Sequence, residues 1–235
     1  MTADIPSSRS ASRAAGSTKP GGHVRRALPD PRTRLLHAAE LLIDEHGETY
    51  LTVESICAAG GTTESVFYSV FADRTDCLLA LFDEVTDRAV TAMTAAYRGE
   101  QGWVDGVRAS LYQLLSQLES QPRLARHILV DSAAGEPPLQ ARRARVFAEL
   151  ARSLEAGHPV ASAGSPAPPF GADAVIGTVV AILHGRLSED PVPRLQELVG
   201  PLMGVIVLPY LGVQAARLEL LRAGTNGARP HDEDQ

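Results

Sequence analysis

Residues 51–71 read LTVESICAAGGTTESVFYSVF. Two short apolar-periodic segments flank a Gly-Gly-Thr-Thr break. Val53, Ile56 and Cys57 put one apolar face on the first, and Val66, Phe67, Val70 and Phe71 put another on the second. Helices this short do not persist alone, so they must share a small core. Gly60 and Gly61 let the chain turn sharply between them. Two readings satisfy this spacing. One is a helix-turn-helix whose second helix enters a DNA major groove; the other is an ordinary helical hairpin.

Upstream, Asp30 caps a helix over Pro31 to His46, with Pro31 in its first turn and Gly47 as its stop. Its apolar face is Leu35, Leu36, Ala39, Leu42 and Ile43. Thr52 caps a helix running to Ala59, forming only a partial capping box with Ser55. Thr62 or Thr63 caps a helix ending near Val70. Asp73 caps a long helix, Arg74 to Tyr97, in which Leu78, Phe82, Val85 and Ala89 recur at helical spacing. Further helices are predicted from about Gly102 through Leu118, from Pro122 through Leu129, from Leu139 to Leu154, from Ala172 to Leu187 and from Arg194 to about Arg222. Pro137 and Pro138 are taken to interrupt the chain before residue 139. The proline-rich stretch between Gly157 and Gly171 is taken as a long loop. No stretch alternates with the period of a strand, so the fold class is all-α.

The 235 residues carry a formal net charge of -6. The charge is unevenly distributed. Residues 1–34 hold Arg9, Arg13, Lys19, Arg25, Arg26, Arg32 and Arg34 against Asp4 and Asp30, a surplus of +5 that leaves -11 for the remainder. A basic end on an acidic body suits a protein that offers one end to a polyanion. Residues 1–29 show no periodicity and are expected to be a disordered basic arm. The polar stretch 225–235 is expected to be a flexible tail.

Cys57 and Cys77 fall among apolar helical positions and are expected to be buried free thiols. The first thirty residues lack the apolar run of a secretory signal. The most apolar tract, Leu198 to Leu211, is broken by Gly200, Pro201, Gly204 and Pro209 and is shorter than a membrane span. A cytoplasmic protein without membrane contact is expected. There is no Gly-rich phosphate loop, HExxH, CxxC or nucleophile elbow. The seven histidines are scattered. No catalytic residue, metal ligand or cofactor is therefore assigned.

Taken together, RTRLLHAAELLIDEHG, LTVESICAAGGTT and FYSVFADRTDCLLALF, all within residues 31–83, resemble the DNA-binding domain of the TetR family of bacterial transcription regulators. The remainder resembles that family in helix number and size. The resemblance implies a three-helix helix-turn-helix domain over 30–76, joined by a long helix to an α-helical ligand-binding and dimerisation domain over 77–224. The long helix carries the junction and would transmit a tilt from back to front.

The resemblance also implies roles. Leu35, Leu36, Ala39, Ile43, Val53, Ile56, Phe67 and Phe71 would form the head's core. Thr52, Tyr68 and Arg74 match positions that meet phosphates. Arg32 and Arg34 would add charge, while Thr63, Glu64, Ser65, Val66 and Ser69 would face the groove. Glu64 has a partner in cytosine N4, and Val66 in a thymine methyl. The departure from the family is the absence of Lys or Arg between Gly61 and Asp73.

Val179, Leu183, Leu198, Leu202 and Ile206 are the implied homodimer interface. Trp103, Tyr112, Leu115, His127, Phe147 and His184 are the candidate lining of a mostly apolar pocket. Arg142, Arg143 and Arg145 form the densest basic cluster outside the front, either a solvated face or a lure for an acidic ligand tail. The function implied is a regulator of transcription, most simply a repressor, that binds double-stranded DNA as a homodimer and is released by a small apolar or amphipathic effector. An activator of the same fold and a helical module that has lost DNA binding are the alternatives.

Overall fold

The computed structural model describes residues 29–158 and 171–222. Most of the expected basic arm, most of the 157–171 loop and the expected tail lie outside them. Nine α-helices are described: α1 Pro31–His46, α2 Val53–Ala59, α3 Glu64–Val70, α4 Arg74–Arg98, α5 Trp103–Ser120, α6 Pro122–Leu129, α7 Pro137–Gly157, α8 Ala172–Leu187 and α9 Val199–Arg222. Short 3-10 turns follow α1 (Glu48–Tyr50) and α6 (Asp131–Ala133) and precede α9 (Leu195–Leu198).

Local chemistry explains the ends of the front helices. Asp30 accepts from Thr33 N–H and starts α1. Thr52 and Ser55 exchange bonds in a complete capping box on α2, fuller than the sequence suggested. Thr63 accepts from Val66 N–H on α3, and Asp73 from Asp76 N–H on α4. Between α2 and α3, Gly61 takes φ +58°, the left-handed conformation that reverses the chain at least cost in glycine.

Two cores result. The head core holds Leu35, Leu36, Ala39, Ile43, Ile56, Phe67 and Phe71 buried, with Val53 packed against them. It does not stop at residue 76. Cys77, Leu81 and Phe82 of α4 belong to it, and so do Leu124 and Ile128 of α6. The body core is built from α5, α7, α8 and α9 around Leu115, Leu183, Leu187, Leu202, Met203 and Val207. Ala125 of α6 faces this second core. Helix α6 is thus a wedge, with one side in the head and the other in the body. Cys57 and Cys77 are buried free thiols, and burial pushes the Cys77 thiol up to about 12.

Two elements differ from the sequence reading. Helix α7 begins at Pro137, because both prolines sit in its first turn, where no amide hydrogen is needed. The last helix breaks at Gly212, which adopts φ +79° and ψ -178°.

Candidate functional site

The outward side of the head is formed by α3 and the start of α2. Tyr68 is 56% exposed, its ring edge-on to the buried Phe67 at 5.4 Å between centroids. Thr52, Thr63, Glu64, Ser65 and Ser69 are exposed, and Val66 is half-buried. The residues proposed to face a groove are therefore accessible, Val66 only in part. Arg32 is exposed, 3.8 Å from Glu84 and above the Phe71 ring. Arg34 is half-buried and its Nε has no hydrogen-bond partner.

Arg74 is placed differently from the free clamp expected. Its Nε donates to Leu51 O at 2.6 Å, and its Nη2 lies 2.9 Å from Glu48 Oε1. It braces the start of α4 against the 3-10 turn and leading residue of α2. A phosphate contact by Arg74 would have to share a guanidinium already engaged within the head.

Three polar connections tie the head to the body. Glu40, buried on α1, lies 2.6 Å from Arg88 of α4 and accepts from Gln121, just before α6, at 3.1 Å. Arg123 of α6 donates to the carbonyls of Asp44 and Glu45, the last turn of α1, and Leu124 N–H reaches Asp44 Oδ1 at 3.3 Å. Glu48, which holds Arg74, also has its Oε2 3.3 Å from Nδ1 of the buried His127 on α6. Burial lowers the His127 pKa, although the Glu48 charge acts in the opposite sense.

The body encloses a cavity of about 660 Å³, within the range of small-molecule sites. Its walls come from α4, α5, α6, α7, α8 and α9. Leu111, Leu114, Leu150, Ile176, Val180 and Leu183 are among its apolar lining, and Arg88 and Gln121 belong to its wall. Of the pocket residues proposed from sequence, Trp103 and Phe147 line it. The other four do not. Leu115 is fully buried in the body core, Tyr112 is half exposed, His127 faces Glu48, and His184 lies on α8 off the lining. Helical periodicity put them on plausible faces, but each face meets a neighbour other than the cavity.

The proposed interface residues are corrected more sharply. Val179, Leu183, Leu202 and Ile206 are buried within a single subunit, and Leu198 packs against the same core. A side chain already closed inside one chain is not available to its twin. The open side of α8 instead carries Ala174, Gly177, Thr178, Ala181 and Gly185, all exposed. On α9, Leu208 and Leu211 are 46% and 41% exposed, and Val213, Leu218, Leu220 and Leu221 are more so.

Two residues of evident importance were visible only in outline in the sequence. Glu40 interrupts the apolar stripe of α1 between Leu36 and Ile43, a carboxylate where the pattern calls for carbon. Arg143 likewise shares the stripe of Leu139, Val146, Phe147 and Leu150 on α7. Of the basic cluster, Arg142 pairs with Asp83 at 2.9 Å, Arg145 is exposed, and Arg143 lines the cavity. Among the described residues no group of three or more His, Cys, Asp or Glu is placed to hold a metal ion.

Neither a family model nor a curated protein matches the sequence. Solved structures do match the fold. The fatty acid degradation regulator FadR from Bacillus halodurans superposes with a TM-score of 0.65 at 17% identity, covering 80% of this chain and 100% of that one. A TetR family transcription regulator from Marinobacter aquaeolei gives 0.54 at 19% identity, over 82% and 93%. SmeT, the repressor of a Stenotrophomonas maltophilia multidrug efflux pump, gives 0.58 at 20% identity, over 77% and 89%. The chain therefore has the fold of TetR-family transcription regulators: a helix-turn-helix head on a helical body.

Proposed function

We propose that this chain is a TetR-family regulator that grips a palindromic operator as a homodimer and lets go when a small molecule fills the body cavity. One observation carries the reading. The wall of the cavity and the DNA-facing head share side chains, because Arg88 and Gln121 both line the cavity and both hold Glu40 of α1. A ligand that moves either group draws on α1, and with it the orientation of α3. Binding that favours one arrangement of α6 and α1 over the other shifts the population of heads able to reach successive grooves. Repression relieved by an apolar or amphipathic effector is the simplest use of such a coupling.

The dimer is assigned to the open faces of α8 and α9, Gly177, Thr178, Ala181 and Gly185 against their counterparts, with Leu208 and Leu211 beside them. Small residues there allow close helix approach, and the exposed leucines supply the apolar area that a stable pairing buries.

A second reading, a ligand-binding module without DNA affinity, draws on the acidic Glu64, the lack of Lys or Arg between Gly61 and Asp73 and the engaged Arg74. Selection of bound DNA from a random duplex pool separates the two. The regulator reading expects a palindrome whose binding weakens steeply with salt, and Tyr68→Ala should reduce its affinity roughly tenfold, about one lost charge-assisted bond, without lowering the melting temperature. Recovery of no preferred sequence would favour the module, whereas a preferred sequence bound equally well by Tyr68→Ala would keep the regulator and remove Tyr68 from the contact surface.

A further inference from the structure

The charge of the cavity wall is opposite to that of the protein. The chain carries 28 Asp and Glu against 22 Lys and Arg. Among the described residues that line the cavity, three are arginines (Arg88, Arg98 and Arg143) and none is Asp, Glu, Lys or His. The three are not equivalent. Arg88 is matched by Glu40 at 2.6 Å. Arg98 is exposed in the last turn of α4. Arg143 has neither arrangement. It makes no ion pair among the described residues, its Nε is buried without a hydrogen-bond partner, and its guanidinium lies 4.6 Å from the centroid of the Phe147 ring.

Arg143 is half-buried, and at Nε the loss of water is answered by no hydrogen bond, while the aromatic face returns only part of that cost. Desolvation lowers its pKa accordingly. The neighbouring arginine, Arg142, shows the alternative available on the same helix, a direct pair with Asp83. The remainder of the lining is overwhelmingly apolar: Trp103, Val107, Leu111, Leu114, Leu150, Leu154, with further aliphatic groups from α8 and α9.

We infer that the effector is an anionic amphiphile, an organic acid whose carboxylate meets the Arg143 guanidinium while its hydrocarbon body fills the apolar part of the cavity. The planar fork of an arginine takes a carboxylate through two parallel N–H donors, and the low-dielectric surroundings strengthen that contact. A neutral molecule of the same body leaves the guanidinium unanswered, and a cationic one is repelled. This inference rests on the body cavity being the effector site, but its test uses no DNA.

Trp103, the chain's one tryptophan, lines the cavity, so its emission reports occupancy directly. The full-length protein is titrated, below micellar concentrations, with dodecanoate, dodecan-1-ol and dodecyltrimethylammonium. Dodecanoate should bind about tenfold tighter than the alcohol, and the ammonium most weakly. Arg143→Gln should abolish the preference for dodecanoate over the alcohol; Arg98→Gln should retain it. Equal affinities, no binding of any probe, a preference that survives Arg143→Gln, or one that disappears with Arg98→Gln would overturn the inference. The wild-type comparison stands whether or not the variants fold. A protein that selects the acid but binds no DNA supports this inference and sinks the regulator reading; one that binds DNA and ignores the head group does the reverse.

Discussion

His127 shows how one residue's surroundings set a property of the whole chain. It is buried on α6, at the seam between head and body, with Glu48 beside it. Its folded pKa is lowered chiefly by burial. The unfolded chain therefore takes up the proton first, and stability present above the ordinary value near 6.5 declines as the pH falls through it toward the folded value. Thermal melting followed between pH 8 and 5.5, about a unit or more either side of that value, should show a falling midpoint. His127→Gln should flatten that part of the profile. A variant that keeps the same slope would assign the acid sensitivity elsewhere. Burial lowers the pKa of His158 too, so part of the slope is expected to remain.

The head's elements depend on the turn between α2 and α3. Gly61 holds φ +58° with open space around it, so steric crowding is not what requires glycine there. The conformation is. Gly61→Ala should cost about 1–2 kcal/mol, the penalty of a left-handed backbone in a residue with a Cβ, read from urea denaturation. Gly60 is different: its backbone is ordinary, but a Cβ would stand 3.1 Å from Ile56 O and 3.4 Å from Arg34 O, where α2 ends against α1. The tighter contact is with a carbonyl of α2 itself, so a side chain at Gly60 would crowd the end of that helix.

For the whole molecule, the decisive surface is the one left open. Among the described residues, six of the ten large hydrophobic ones that are exposed fall between Leu208 and Leu221. The helix containing them is the one described helix long and apolar enough to cross a membrane, yet it carries Pro209 and breaks at Gly212. The proposed pairing with a second copy would cover this apolar surface and would set two heads on the half-sites of one palindrome. Ala181→Arg combined with Leu208→Glu should convert a dimer to a monomer in light scattering coupled to gel filtration. Binding to a palindrome should fall at least a hundredfold, a conservative share of the gain that linking two sites provides, while Trp103 still reports ligand. An unchanged mass would move the interface elsewhere.

Much of the fold was legible because helical period, caps and turn residues are local. The ends of α1 to α4, the head's core and the buried thiols follow from spacing and from Asp30, Thr52, Thr63, Asp73 and Gly61. What periodicity does not specify is the neighbour that a given face meets. An apolar stripe is equally suited to a core, a cavity or a twin subunit, so periodicity does not tell that Val179 and Leu202 are interior or that His127 lies at the seam beside Glu48. The same limit applied to charge. Arg74, Arg142 and Arg143 are alike in sequence, but the first is an internal brace, the second an ion pair and the third a half-buried cation over the Phe147 ring in the cavity wall. Those outcomes depend on which carboxylates and carbonyls distant segments bring within a few ångströms, and only the packed chain decides that.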